Sequence, residues 1–296
     1  MKTSTGLIRL QGGQTHTIFF EEELWSSKQH VVYIGRIESI PYTVVIKIPL
    51  THEIVTVHKE ASVLHRLHGI DGLPRYIGLF TLYEAGEYTN THALVVQLID
   101  GTDIEKERKA LTGTLPDWRT VRDLLLQTAT VLSAVHERGI AHCDIKLRNI
   151  IREKDDRIIV LDWDNSVDFF HSSGQKDGPI VGTVQYMSQE QVLGEALDHR
   201  TDIYSLGAAM GLYAYGPVIC QRYIVEDDGS VTERSSHETA NAIAGGETIK
   251  YDLFPMALSS GEQKFQSILR QMTVLEKEER FQTMHEVIDA LQETLN

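Results

Sequence analysis

The sequence predicts an α+β chain of two unequal lobes, with strands first and helices after. Two patterns carry this. Between Leu7 and Leu50, β-rich runs (Ile18-Phe19-Phe20, Val31-Val32-Tyr33-Ile34 and Thr43-Val44-Val45-Ile46) alternate with polar breaks, and two more runs follow at Tyr76 to Leu82 and Ala93 to Leu98. From Trp118 onward the apolar period becomes helical, with Leu124, Leu125, Thr128, Val131, Leu132 and Val135 on one stripe and Gly139 closing it.

One helix interrupts the strand-rich part. From Glu53 to Leu67 the apolar residues Val57, Ala61, Leu64 and Leu67 share a face, and Gly69, Gly72 and Pro74 end the run. Glu60 lies beside that stripe, where it can turn back toward the sheet. Five strands and this helix make the expected small lobe, residues 1–97, with a short N-terminal extension at 1–14; residues 98–296 make the larger, mainly helical lobe. Within the latter, Tyr223-Ile224-Val225, Asp227-Asp228-Gly229 and Val231-Thr232 read as a hairpin insertion in the irregular stretch from Ile219 to Gly246. The last helices are expected from Glu262 to Met272 and from Thr283 to Leu295.

Composition narrows the function classes. The 296 residues suffice for one domain with a sizeable core, and 42% hydrophobic with 24% charged residues is ordinary for a globular protein. A formal net charge of −14 argues against nucleic acid and anionic membranes as partners. Two cysteines, Cys143 and Cys220, do not make a disulfide framework, so a reducing, cytoplasmic setting is expected, with delivery as a secreted effector into a host cytosol as the alternative. No apolar run is long enough to span a bilayer. The first six residues lack the apolar core of a signal peptide, and Lys2 excludes an N-myristoyl glycine. Oligomeric state is open.

Chemistry concentrates in ordered segments. Val44-Val45-Ile46-Lys47 places a lysine at the end of a buried strand, and Lys59-Glu60-Ala61 supplies a carboxylate from the helix. His142-Cys143-Asp144-Ile145-Lys146-Leu147-Arg148-Asn149 follows the long helix. Ile158-Ile159-Val160-Leu161-Asp162-Trp163-Asp164 ends an apolar strand in two acids. Gly182 to Glu190, Asp202 to Gly207 and Arg280 come later. Taken singly, Lys47 also fits a solvated strand-edge lysine, Glu60 a solvated helix residue and Asp162 a turn cap.

In this order the segments resemble the eukaryotic-type (Hanks-type) serine/threonine protein kinases over nearly the whole chain. The resemblance implies a two-lobed kinase fold and transfer of phosphate from ATP, with Mg²⁺ (or Mn²⁺), to serine or threonine hydroxyls of protein substrates. It implies that Asp144 orients the acceptor hydroxyl, Lys146 sits near the transferred phosphate, and the Lys47–Glu60 pair holds the α- and β-phosphates. Asn149 and Asp162 are the implied metal ligands. Val32, Val45, Val96, Gln97 and Ile99 are the implied nucleotide contacts beside Lys47, with Leu94 to Gly101 as fifth strand and hinge. Glu190 and Arg280 are expected to pair. His142 is expected to pack in a spine with Leu64 and Trp163, anchored through Asp202, and Cys143 is expected to fill apolar space. Lys146 and Thr183 argue for serine/threonine rather than tyrosine acceptors.

Three departures from the family pattern stand out. Trp25, Ser27 and His30 occupy the three places of the glycine-rich loop, which predicts weaker nucleotide binding unless Lys28 or His30 contacts phosphate itself. Cys143 replaces the arginine that receives an activation-segment phosphate, so activity is expected not to depend on that modification. Asp164 stands where a glycine usually follows the metal aspartate, adding a carboxylate. The lost glycines motivate two alternatives, a pseudokinase that binds nucleotide as a scaffold and a kinase fold performing other nucleotide chemistry.

Overall fold

The computed structural model describes residues 4–10, 15–27, 29–50, 54–84, 87–171, 182–216, 223–225, 231–248 and 259–294. The chain divides into two compact units. One comprises residues 1–69, 73–100 and 162–164, and the other 70–72, 101–161 and 165–296.

The first unit is an antiparallel barrel with a helix. Its elements are β1 (Ser4–Leu10), β2 (Thr15–Ser26), β3 (His30–Ile37), β4 (Val44–Pro49), α1 (Ile54–Arg66), β5 (Tyr76–Glu84) and β6 (Glu87–Gln97). The order β1-β2-β3-β4-β6-β5 contains the five expected strands. The N-terminal extension adds a sixth, β1, which pairs with both β2 and β5 and closes the barrel. Its sequence, Ser-Thr-Gly-Leu-Ile-Arg-Leu, alternates poorly; what recruits it is the pair of open edges on β2 and β5, which a closing strand satisfies. Ile18, Ile37, Val44, Ile46, Phe80, Leu82, Ala93 and Val95 fill the core. On α1 the expected stripe of Val57, Ala61, Leu64 and Leu67 is buried, and Glu60 with it.

The second unit is mainly helical. A small sheet joins β7 (Gly101–Asp103), β9 (Ile150–Glu153) and β10 (Ile158–Val160), while β8 (Ile140–Ala141) pairs with β11 (Val167–Asp168). The helices are α2 (Ile104–Ala110), α3 (Trp118–His136), α4 (Gln189–Leu193), α5 (His199–Tyr215), α6 (Ser236–Ala244), α7 (Ser260–Met272) and α8 (Met284–Glu293). Asp117 caps α3 by accepting from the Arg119 N–H, and Gly139, at φ +76°, turns the chain out of it. α5 is buried from Thr201 to Tyr215, so it reads as apolar around most of its circumference and packs against both α3 and α7. Gly207 permits the second contact: a Cβ there would lie 2.7 Å from the Met272 Cβ. The expected hairpin is present as β12 (Tyr223–Val225) and β13 (Val231–Glu233), although Asp227-Asp228-Gly229 lies outside the described residues. No helix among the described residues is long and apolar enough to cross a membrane.

A buried ion pair ties α4 to the segment before α8. The Arg280 guanidinium donates to Glu190 Oε1 at 2.7 Å and Oε2 at 2.8 Å. It also donates to the carbonyls of Val274, Leu275 and Arg200 and lies 5.0 Å over the Tyr204 ring. Burial by itself would raise the Glu190 carboxyl, but hydrogen bonding and charge from Arg280 outweigh it and hold the group below its ordinary 4.5. A lowered carboxyl contributes stability above its unfolded value, and that contribution is lost as pH falls through the folded value. The wild type should therefore lose stability increasingly below about pH 4.5. Glu190→Gln should cost about 3–5 kcal/mol at pH 7 and converge toward the wild type in acid. Thermal melting of both proteins from pH 7 to pH 3 checks this, and parallel curves would contradict it.

Candidate active site

In the first unit, sheet register places the nucleotide-side candidates. Val32 lies opposite Lys47 on β3 and β4, and Val45 lies opposite Val96 on β4 and β6. Because side chains alternate across a sheet, Val32, Val45, Lys47 and Val96 share one face, while Val44, Ile46 and Val95 turn to the opposite face and form core. Gln97 pairs with Val44 and so belongs by register to the opposite face from Val96; its backbone N–H donates to the Arg75 carbonyl. Ile99 lies beyond the strand end and is half-buried.

Lys47 is buried, and its ammonium gathers three carboxylates from separate segments. Nζ lies 2.8 Å from Glu60 Oε2 on α1, 3.1 Å from Asp162 Oδ1 and 3.4 Å from Asp164 Oδ2. Burial alone would lower the pKa of the ammonium, but Glu60, Asp162 and Asp164 reverse this and drive it well above the ordinary range. Glu60 is shifted in the opposite sense to most paired carboxyls. Its burial raises it, and although Lys47 pulls it down, Asp162 and Asp164 add to the rise. Glu60, Asp162 and Asp164 each offer an oxygen within 4.8 Å of one another. Asp162 sits at φ +67°, a left-handed backbone that an aspartate tolerates better than most residues, and its side chain stays 37% exposed. That exposure, with hard carboxylate oxygen, suits a Mg²⁺ ligand.

The second unit holds the loop residues. Asp144 Oδ2 accepts from Lys146 Nζ at 2.6 Å and Oδ1 accepts from the Thr183 N–H at 3.2 Å, so both oxygens are oriented. Asn149 Nδ2 donates to the Asp144 carbonyl at 3.0 Å, leaving its amide oxygen as the atom available to a cation. His142 is fully buried and both ring nitrogens are engaged. Nε2 donates to the Leu161 carbonyl at 2.8 Å, and Nδ1 accepts the Asp144 N–H at 3.2 Å, which fixes the tautomer. This is a positioning role, consistent with the packing expected of it.

Beneath the loop lies Asp202, 0% exposed. Oδ2 accepts the His142 N–H at 2.7 Å and meets His136 Nε2 at 2.8 Å, and Oδ1 accepts the Cys143 N–H at 2.8 Å. Cys143 is held at φ +63°, costly for a residue with a side chain, so the two amide bonds pin a conformation the chain would otherwise leave. The thiol side fills an apolar cluster with Ala141, Val167 and Leu197, as expected. The Cys143 carbonyl accepts from Gln191 Nε2 on α4 at 2.8 Å, and Gln191 Oε1 accepts the Ser188 N–H. Gln191 was not distinguishable in the sequence, since glutamine in a short helix carries no signal of its own.

The glycine-poor turn between β2 and β3 is organised by Ser27. Its Oγ accepts the N–H groups of Gln29 and His30 at 3.0 and 3.1 Å, and its own N–H donates to the His30 carbonyl at 3.0 Å. Trp25 is 50% exposed and stands edge-on to His30, with ring centroids 5.0 Å apart. Lys28 lies outside the described residues.

Each unit thus holds charged groups in fixed positions, a lysine clasped by helix and strand-end carboxylates in the first and an oriented aspartate loop in the second. Residues 30–291 match the protein kinase domain family, and the chain belongs to that family. It is 29% identical over 285 residues to a probable serine/threonine-protein kinase of Clostridium acetobutylicum, covering 93% of this chain and 39% of that protein. It is 28% identical over 215 residues to the serine/threonine-protein kinase Pkn1 of Myxococcus xanthus (70% of this chain, 29% of that protein). It is 30% identical over 152 residues to PknH of Mycobacterium bovis (51% and 24%). The chain thus spans about two-fifths of the first relative's length and less than a third of the other two.

Asp202→Asn should loosen the loop, because its new amide hydrogens face a backbone N–H or His136. A loss of roughly 2–4 kcal/mol by thermal or denaturant melting is expected. An unchanged midpoint would show that the carboxylate is not what holds Cys143 in place.

Proposed function

We propose that this chain transfers the γ-phosphoryl group of ATP to serine or threonine hydroxyls of protein substrates, as one kinase domain formed by residues 1–97 and 98–296. The observation that carries this reading is the Lys47–Glu60–Asp162 arrangement, at 2.8 and 3.1 Å. Phosphoryl transfer demands little covalent chemistry from the protein and much placement of charge, so an assembled lysine cluster is the costly part to build. Lys47 binds the α- and β-phosphates, held upright by Glu60. Val32, Val45 and Val96 offer an apolar face to the base, with Gln97 and Ile99 contributing backbone. Asp144, its oxygens already oriented by Lys146 and Thr183, aligns the acceptor hydroxyl and receives its proton. Lys146 steadies the transferring phosphate. Asp162 and Asn149 would hold Mg²⁺, which would supply neutralisation of charge developing on the phosphates. Cytoplasmic residence is part of the same proposal.

Cys143 in place of an arginine supports activity without activation-segment phosphorylation. Its side chain is buried among apolar neighbours and offers no cationic receiver.

The test is transfer from radiolabelled ATP to casein or myelin basic protein, with Mg²⁺ and with Mn²⁺. Label should appear on serine or threonine and fall by at least about 10²-fold in Lys47→Met and in Asp162→Asn. Nucleotide binding without turnover would favour the scaffold reading, which the missing loop glycines support, and a different product mass would favour other nucleotide chemistry. Phosphatase-treated protein should keep its rate; if treatment abolishes transfer, the independence assigned to Cys143 is wrong.

A further inference from the structure

Resting on the kinase reading, the turn between β2 and β3 raises a question of its own. Glycines in that loop would bring backbone amides to the phosphates. Among the described residues of this turn the amides are otherwise engaged, since the N–H groups of Gln29 and His30 both donate to Ser27 Oγ. The Ser27 N–H is also taken, by the His30 carbonyl at 3.0 Å. These three amides are therefore not free for a nucleotide phosphate.

His30 offers another donor. It pairs with Pro49 across β3 and β4, two positions from the Val32–Lys47 pair, so register sets its side chain on the same face as Lys47 and diagonal to it. The residue is 7% exposed, and Nδ1 is buried with no hydrogen-bond partner among the described residues. A buried polar atom with no partner among the described residues calls for one from outside them. Trp25, edge-on to the ring, limits its rotation. Burial and the nearby Lys47 charge lower the imidazole pKa against the opposing pull of Asp162 and Asp164, which favours the neutral ring with its single N–H.

We infer that His30 is a phosphate-binding residue, its Nδ1–H replacing the backbone amides of a glycine-rich loop as a donor to a nucleotide phosphate oxygen. The imidazole thus fills the space of the missing glycine with a directed donor and restricts that donor to the phosphate side of the nucleotide.

Calorimetric titration of ATP, ADP and adenosine, with Mg²⁺, into wild type, His30→Ala, His30→Asn and His30→Gln tests this. An asparagine amide reproduces a donor near Nδ1, whereas a glutamine amide reaches the Nε2 position. Expected results are a roughly tenfold weaker affinity of His30→Ala for ATP and ADP, the size of one hydrogen bond to a charged group, with adenosine unchanged. His30→Asn should recover most of the loss and His30→Gln little of it. The inference is overturned if His30→Ala binds ATP as tightly as wild type or more tightly, which would make the ring an obstruction. Equal losses for ATP and adenosine, or for the Asn and Gln variants, would reduce it to a structural residue. Phosphates that strengthen binding to wild type and to His30→Ala by the same factor overturn the inference alone; wild type that gains nothing from the phosphates, or binds none of the three, overturns the kinase reading with it.

Discussion

Asp202 is buried within the second unit with no access to water, and each of its oxygens is filled by donors from the catalytic-loop segment or from α3. Burying a carboxylate is costly unless hydrogen bonds replace its hydration. Here they do, and burial, which would raise the carboxyl, is outweighed by His136, His142 and the backbone, so it stays below its ordinary value. The exchange runs both ways. The anion needs the two amides, and the amides need the anion, because Cys143 occupies a left-handed backbone position that would otherwise relax. The orientation of Asp144, one residue on, follows from this. So does that of His142, whose ring bridges the Asp144 amide and the Leu161 carbonyl. Gln191 and the Glu190–Arg280 pair extend the same logic outward, fixing α4 to the loop on one side and to the C-terminal segment on the other.

The first unit is organised by the opposite sign. A buried ammonium is surrounded by more carboxylate than it can neutralise. Three acids against one lysine leave a surplus of negative charge, which suits a site that takes a divalent cation and a polyphosphate together, since the cation supplies the missing positive charge. Asp164 adds a carboxylate to this cluster. A glycine there would contribute flexibility; the aspartate contributes a further tie on Lys47, stiffening the cluster at the cost of more electrostatic repulsion among acids. The turn before β3 shows the same exchange of freedom for specific bonds, because Ser27 replaces glycine mobility with hydroxyl hydrogen bonds.

Much of the architecture was legible in the residues. The five strands, α1, α3 and the paired terminal helices follow from periodicity, because each must bury one face. The hairpin from Tyr223 and the Glu190–Arg280 pair were also foreseen. β1 was not, because its recruitment depends on two edges that exist only once the barrel has formed. α2 and α6 are short and carry weak apolar stripes. Gln191 and the engaged amides around Ser27 left no trace, since a polar residue's partners depend on distances that sequence spacing does not encode.

The sequence by itself determined the order of the elements and the fold class, and the resemblance to the kinase family that this order carries singles out Lys47, Glu60, Asp144, Lys146, Asn149 and Asp162. Tertiary structure decided which of those charges meet. It brought Asp164 onto Lys47, sealed Asp202 beneath the loop and left His30 buried with an unpaired nitrogen. The reason is physical. Periodicity reports which side of an element avoids water, and that is a local property of the chain. Ion pairing and hydrogen-bond satisfaction depend on contacts between residues far apart in sequence, whose cost and benefit are settled only when burial removes the competing water.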